Sequence, residues 1–142
     1  TSVLSLLFVV LFPSYNSIIH MLIQVLDDSF NMRETIKSVL GRLTAEFIES
    51  SDGEEAVRQY ASRTPDVVIM DVCMERMDGI AATHAIRTAS PDAKIIVVSQ
   101  YGDSDLRNAA RDVGAVGYLL KDDLSELFQI IEHYSASQKR MT

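Results

Sequence analysis

Five residues carry most of the chemistry that this sequence offers. They are Asp27 and Asp28 in "IQVLDDSFN", Asp71 in "VVIMDVCMERMDG", Ser99 in "IIVVSQYGD" and Lys121 in "GYLLKDD". Each stands just after a short apolar run, with gaps of 44, 28 and 22 residues from Asp27 onward. Taken singly, each has an ordinary reading. Asp28 can cap a helix, Asp71 can turn the chain, Ser99 can end a strand, and Lys121 can be a surface charge beside Asp122 and Asp123. Taken together they are three acids, a hydroxyl and an amine at corresponding places. Three carboxylates within several ångströms cannot all stay ionised cheaply, because a pair 4 Å apart costs roughly 4 kcal/mol at an effective dielectric of 20. Either one keeps its proton or a cation neutralises them. Ligands that are all oxygen point to a hard cation, and Mg²⁺ commonly takes one or two carboxylates and keeps several waters. Such a cation also takes phosphoryl oxygens, with Lys121 as counter-charge and Ser99 as donor. The pattern describes a phosphoryl site whose acceptor is a carboxylate.

The elements that must position these residues are legible as alternating runs. LIQVL (22–26), VVIM (67–70), IIVV (95–98) and VGYLL (116–120) are mostly continuous and apolar, as strands covered on both faces should be. AEFIES alternates, which suits an edge strand. Between them lie helical stripes. Met32, Ile36, Val39, Leu40 and Leu43 share one face. Ser51 to Glu55 reads as a capping box before Val57, Tyr60 and Ala61. Ile80, Ala82, Thr83 and Ile86 suit a third helix. Asp103 or Ser104 caps a fourth, with Gly114 as its stop. Leu124, Leu127, Phe128, Ile131 and Tyr134 stripe a fifth. Five such βα units predict a parallel sheet with helices on both faces and right-handed crossovers. Ligands of such sheets bind at the carboxyl ends of the strands, where all five residues fall.

Composition narrows the function classes. The chain has 142 residues, 47% of them apolar and 23% charged, which fits one domain with a real core. The net charge of −7 argues against direct nucleic-acid contact. One cysteine, Cys73, excludes an internal disulfide and is compatible with a reducing compartment. His20, His84 and His133 lack metal-ligand spacing. Residues 1–26 carry no Asp, Glu, Lys or Arg. The apolar stretch Val3–Phe12 is about half the roughly 20 residues of a spanning helix, and it lacks the basic n-region and small-residue cleavage site of a secretory signal. Residues 1–20 are read as an appendage ahead of Met21, with a membrane anchor, a signal remnant or a structural arm as alternatives. Residues 138–142 form a short tail.

"VLDDS", "VIMDVCMERMDG", "VVSQYGD" and "GAVGYLLKD", in that order, resemble the receiver domain of bacterial two-component response regulators, the CheY-like family. The resemblance spans roughly residues 21–135, within a receiver domain placed at 21–137, and "GYLLKD" is closest in style to the NarL/FixJ/LuxR branch. It implies a five-stranded parallel sheet in the order 2-1-3-4-5, a flavodoxin-like three-layer sandwich. It implies Asp71 as phosphoacceptor, with Mg²⁺ or Mn²⁺ bound directly by Asp28 and Asp71, through water by Asp27, and by the backbone carbonyl of Cys73. Ser99 and Lys121 would take the phosphoryl oxygens, and Tyr118 would be the rotameric switch. Cys73 and Tyr101, two residues beyond Asp71 and Ser99, would shield the site from water and slow dephosphorylation. The implied partner is a sensor histidine kinase or phosphotransfer protein in the cytoplasm, with no membrane contact and with homodimerisation on phosphorylation. The implied output is transcription, through a domain absent from this segment; a stand-alone receiver is the alternative. Glu75 stands where the family often has proline, which suggests a looser loop, and Asp122 follows the lysine where many members have proline.

Two other readings compete with that one. A haloacid-dehalogenase-like phosphohydrolase also uses an aspartate nucleophile, Mg²⁺ and a lysine, but it needs an acid where Cys73 stands. A degenerate receiver would serve only as a binding scaffold, against which the complete acid, serine and lysine set argues. The module is expected to transfer and lose its own phosphoryl group without turning over other substrates.

Overall fold

A computed structural model describes residues 20–72 and 78–140. Five strands alternate with five helices: β1 (Met21–Leu26), α1 (Phe30–Val39), β2 (Ala45–Ser50), α2 (Gly53–Arg63), β3 (Val67–Asp71), α3 (Gly79–Ala89), β4 (Ile95–Ser99), α4 (Ser104–Asp112), β5 (Gly117–Leu120) and α5 (Leu127–Arg140). All neighbouring strands are parallel, in the order β2-β1-β3-β4-β5. This is the expected fold class and strand order, and the alternating AEFIES segment is indeed an edge strand.

The helices divide two and three over the faces. Ile36 and Leu40 from the α1 segment pack with Leu127 and Ile131 of α5 on Ile23, Val25, Ile69 and Val98. Ala56 and Tyr60 of α2 pack with Ala82 and Ile86 of α3 on Leu26, Val68, Met70 and Ile95. Ala110 of α4 joins Val97 and Val72 on that second side. The helical stripe of the first helix overshoots, since the helix ends at Val39 and Leu40 is its C-cap. Leu43 packs on the core from the following turn.

Local signals set the boundaries. Ser29, Asp52, Asp78 and Asp103 are N-caps, each accepting a backbone N–H from the first turn, at Met32, Glu55, Ala81 and Leu106. The capping box before α2 is displaced by one residue, because Asp52 accepts the Glu55 N–H while the Glu55 carboxylate accepts the backbone N–H of Ser51, just ahead of the cap, at 3.1 Å. Lys37, Arg63, Arg87 and Arg111 occupy the last turns of α1 to α4, where a cation meets the negative end of the helix dipole. Polar side chains are buried within the sheet, Gln24, Ser50 and Ser99 among them. Gln24, in the middle of β1, donates to Ser50 Oγ and to the Ala56 carbonyl, both at 3.0 Å, and its Oε1 has no hydrogen-bond partner among the described residues.

Gly114 ends α4 in the left-handed region, at φ +100°. An added Cβ there would lie 2.4 Å from Arg87 Nε. Gly114→Ala is expected to destabilise the domain by about 1–2 kcal/mol, from the positive φ and the displaced arginine together. Urea unfolding with an unchanged m-value checks this, and Gly114→Asn should cost less than Gly114→Ala.

Candidate functional site

Strand register brings the acids together. Leu26 of β1 pairs with Met70 of β3, so Asp27, one step further, comes level with Asp71. Asp71 pairs with Val98, which puts Ser99 one step beyond it, and Ser99 pairs with Leu120, which puts Lys121 one step beyond that. Alternation along a strand then assigns faces. Asp27, Asp71 and Lys121 share the parity of Val25, Ile69 and Leu119, on the α1–α5 side. Ser99 shares the parity of Val97, on the other side. These four residues lie at one edge of the sheet but divide between its faces.

The contacts follow that division. Lys121 Nζ lies 2.9 Å from Asp27 Oδ2 and 3.2 Å from Asp71 Oδ2. Both carboxylates are almost fully enclosed, at 1% and 2% exposure, and the lysine side chain is 16% exposed. Asp27 Oδ1 accepts the Ser29 backbone N–H at 2.8 Å, so both oxygens of Asp27 are held by the protein. Burial works against the Lys121 ammonium. The hydrogen bond to Asp27 and the charges of Asp71 and Asp27 outweigh it and hold the lysine pKa above its ordinary value. A raised lysine pKa means that this stabilisation is complete at neutral pH and is lost only as pH climbs through the raised value.

Asp28 behaves differently. The helix cap is Ser29, which frees Asp28 from the ordinary role its position suggested. Its carboxylate is exposed, and one oxygen from each of Asp27, Asp28 and Asp71 can be chosen so that all lie within 4.8 Å of one another. Formally, three negative charges face the one ammonium of Lys121, an excess of two. An all-oxygen donor set with that excess fits a hard divalent cation. Cys73, the expected carbonyl ligand, and Glu75 lie outside the described residues.

Ser99, Tyr101 and Tyr118 form a hydrogen-bonded series at the ends of β4 and β5. Ser99 Oγ accepts the Tyr101 backbone N–H at 3.1 Å, and Tyr118 Oη donates to the Tyr101 carbonyl at 2.5 Å. The Tyr118 ring also lies 4.6 Å from the Arg107 guanidinium, which donates to the Gly102 carbonyl at 3.1 Å. Arg107, Ala110, Arg111, Val116 and Tyr118 line a groove of about 230 Å³ between α4 and β5. Tyr101 is 55% exposed.

Two features close to the acids are not distinguished by the sequence. One is Ser29, the third of three adjacent candidate caps, which nothing in the sequence distinguishes from Asp28. The other is Gly79, where an added Cβ would fall 2.1 Å from the Asp71 carbonyl oxygen and 2.7 Å from Val72 Cα. The "DG" pair at 78–79 signals a helix start but not this close approach behind Asp71.

Comparison with known proteins agrees with the family resemblance and with the fold. The family described as "Response regulator receiver domain" matches residues 23–132. The transcriptional regulatory protein LiaR of Bacillus subtilis is 42% identical over 91 residues, 64% of this chain, but the match spans only 42% of LiaR. A crystal structure of a LuxR-family two-component response regulator from Aurantimonas sp. SI85-9A1 is 33% identical, with a TM-score of 0.76 over 83% of this chain and 86% of that one. A CheX-CheY-BeF3-Mg²⁺ complex from Borrelia burgdorferi is 26% identical, with a TM-score of 0.76 over 82% of this chain and 90% of that one.

Gly79→Ala is expected to destabilise the domain by at least about 1–3 kcal/mol, because the obstructing atoms are backbone and cannot swing aside. Chemical denaturation against wild type checks this, with Gly102→Ala as a milder control whose nearest neighbour is the Leu120 side chain at 3.3 Å.

Proposed function

The chain belongs to the response regulator receiver domain family, the signalling modules of two-component systems, and from that membership we propose that Asp71 is its phosphoacceptor. The observation that carries the proposal is the cluster of Asp27, Asp28 and Asp71, two of which, Asp27 and Asp71, pair with the Lys121 ammonium. A carboxylate oxygen of Asp71 attacks the phosphorus of a phosphohistidine on a partner kinase or phosphotransfer protein. A P–O bond forms, the P–N bond breaks, and its electron pair stays on the departing ring nitrogen. Mg²⁺ or Mn²⁺ bound here supplies positive charge for the phosphoryl oxygens. Asp28 and Asp71 would hold it directly and Asp27 mainly through water, a division supported by the protein partners that occupy both oxygens of Asp27. The Cys73 carbonyl completes the protein's share in this reading.

Lys121 then pairs with a phosphoryl oxygen, and the Ser99 hydroxyl donates to another. Ser99 can accept the Tyr101 N–H and donate at the same time, but it starts on the sheet face opposite Asp71, so its side chain would have to turn toward the phosphoryl group, which would strain the bond from Tyr101 and loosen the loop that Tyr118 ties to β5. That coupling would carry phosphorylation to the groove between α4 and β5. There the altered α4–β5–α5 face would recruit a partner or a second copy. The proposed output is transcription, supported by likeness to LiaR; residues 21–137 carry the module and the leader is dispensable. Tyr101 and Cys73 would govern how fast water reaches the acyl phosphate.

Incubation with acetyl phosphate and Mg²⁺ followed by intact-protein mass spectrometry tests this. Wild type and the chain starting at Met21 should both gain one phosphoryl group, and Asp71→Asn should gain none. Phosphorylation of Asp71→Asn at the wild-type rate would remove Asp71 from the role. Mg²⁺ affinity should fall more in Asp28→Ala than in Asp27→Ala, as read by titration calorimetry.

A further inference from the structure

Arg33 projects from the first turns of α1 and takes no part in the chemistry described so far. Its Nη1 donates to the backbone carbonyl of Asp27 at 2.6 Å, and its Nε donates to Glu49 Oε1 at 3.1 Å. The side chain is 15% exposed, and its guanidinium lies 5.8 Å from the centroid of the Phe30 ring. Glu49 is held in turn by Lys37 at 3.3 Å, and Lys37 pairs with Glu34 at 2.6 Å. An ionic chain thus runs from the edge strand β2 across α1 and ends on the peptide between Asp27 and Asp28.

Resting on the reading of the acidic cluster as a cation site, we propose that Arg33 is a positioning residue for that site: with Glu49 it anchors the Asp27–Asp28 peptide and so aims the Asp28 carboxylate for divalent cation binding. The peptide unit is planar, so fixing its oxygen fixes the direction in which the chain leaves toward Asp28 Cα. Asp27 does not need this help, since Ser29 and Lys121 already hold its carboxylate. Asp28 is exposed, and the aim of its side chain depends on the backbone beneath it. A ligand held in place beforehand loses less freedom on binding. Arginine suits the task because its planar fork serves two acceptors in fixed geometry, whereas a lysine ammonium is a point charge.

The sign of the effect separates positioning from simple electrostatics. The Arg33 charge repels a cation, so by Coulomb's law alone its removal would tighten binding. Positioning demands the opposite. Mg²⁺ titration calorimetry on the full chain is expected to show Arg33→Ala weakened by about tenfold, the scale of one charge-assisted hydrogen bond. Arg33→Lys should recover only part of that loss. Glu49→Gln, which keeps the bond to the Asp27 carbonyl but loses its ionic support, should weaken binding by about threefold. Unchanged or tighter Mg²⁺ binding by Arg33→Ala overturns the proposal. If Arg33→Ala does not fold, wild-type affinity in both Arg33→Lys and Glu49→Gln overturns it. A wild-type chain that binds no Mg²⁺ overturns the cation reading and this proposal together, whereas tight wild-type binding with insensitive variants overturns only the role of Arg33.

Discussion

Two enclosed carboxylates facing each other across adjacent parallel strands would drive those strands apart, and the Lys121 ammonium between them is what makes the arrangement tenable. The penalty for burying charge falls only when the partners are close and otherwise hydrogen-bonded. Asp27 meets that condition through Ser29, and the position of Lys121 is fixed by its backbone N–H, which donates to the Ser99 carbonyl at 2.8 Å. Three strand ends and the start of one helix are therefore tied to a single charge. The compensation is incomplete, and the formal negative excess leaves the site receptive to positive charge rather than collapsed around its own.

The fold was largely legible because its signals are local and redundant. The continuous apolar runs of β1, β3 and β4 demanded cover on both faces, and the alternation of β2 demanded an edge. Asp103 and Gly114 marked the two ends of α4. The convergence of Asp27, Asp71 and Lys121 was legible too, since the topology sends every strand end to the same side. Which face each residue takes required the register, which no run of β-branched residues specifies. Ser99 shows this: the sequence puts it at the right edge, and only the pairing with Leu120 settles its parity.

What stayed hidden depends on which partner each residue meets. Arg33 looks like an ordinary solvated cation on an amphipathic helix, and only the proximity of Glu49 on β2 and the turn at Asp27 gives it work. Gly79 looks like any glycine at a helix start until the backbone of Asp71 is found behind it. Ser29 was obscured by its neighbours, because three good capping residues in a row carry no signal as to which one caps. In each case the residue type was informative and the partner was not.

The buried amide of Gln24 has a consequence for how the sheet assembles. A nearly uniform apolar strand can pair with its neighbours almost as well when slid along them, since the apolar surface buried changes little. Gln24 removes that degeneracy. In the native alignment its amide nitrogen finds Ser50 and the Ala56 carbonyl. Slid along β2, it would leave that donor sealed in hydrocarbon at a cost of about 1–3 kcal/mol. The residue that looks least at home in β1 therefore acts as its alignment pin, sacrificing some stability to exclude mis-paired compact states from the folding landscape.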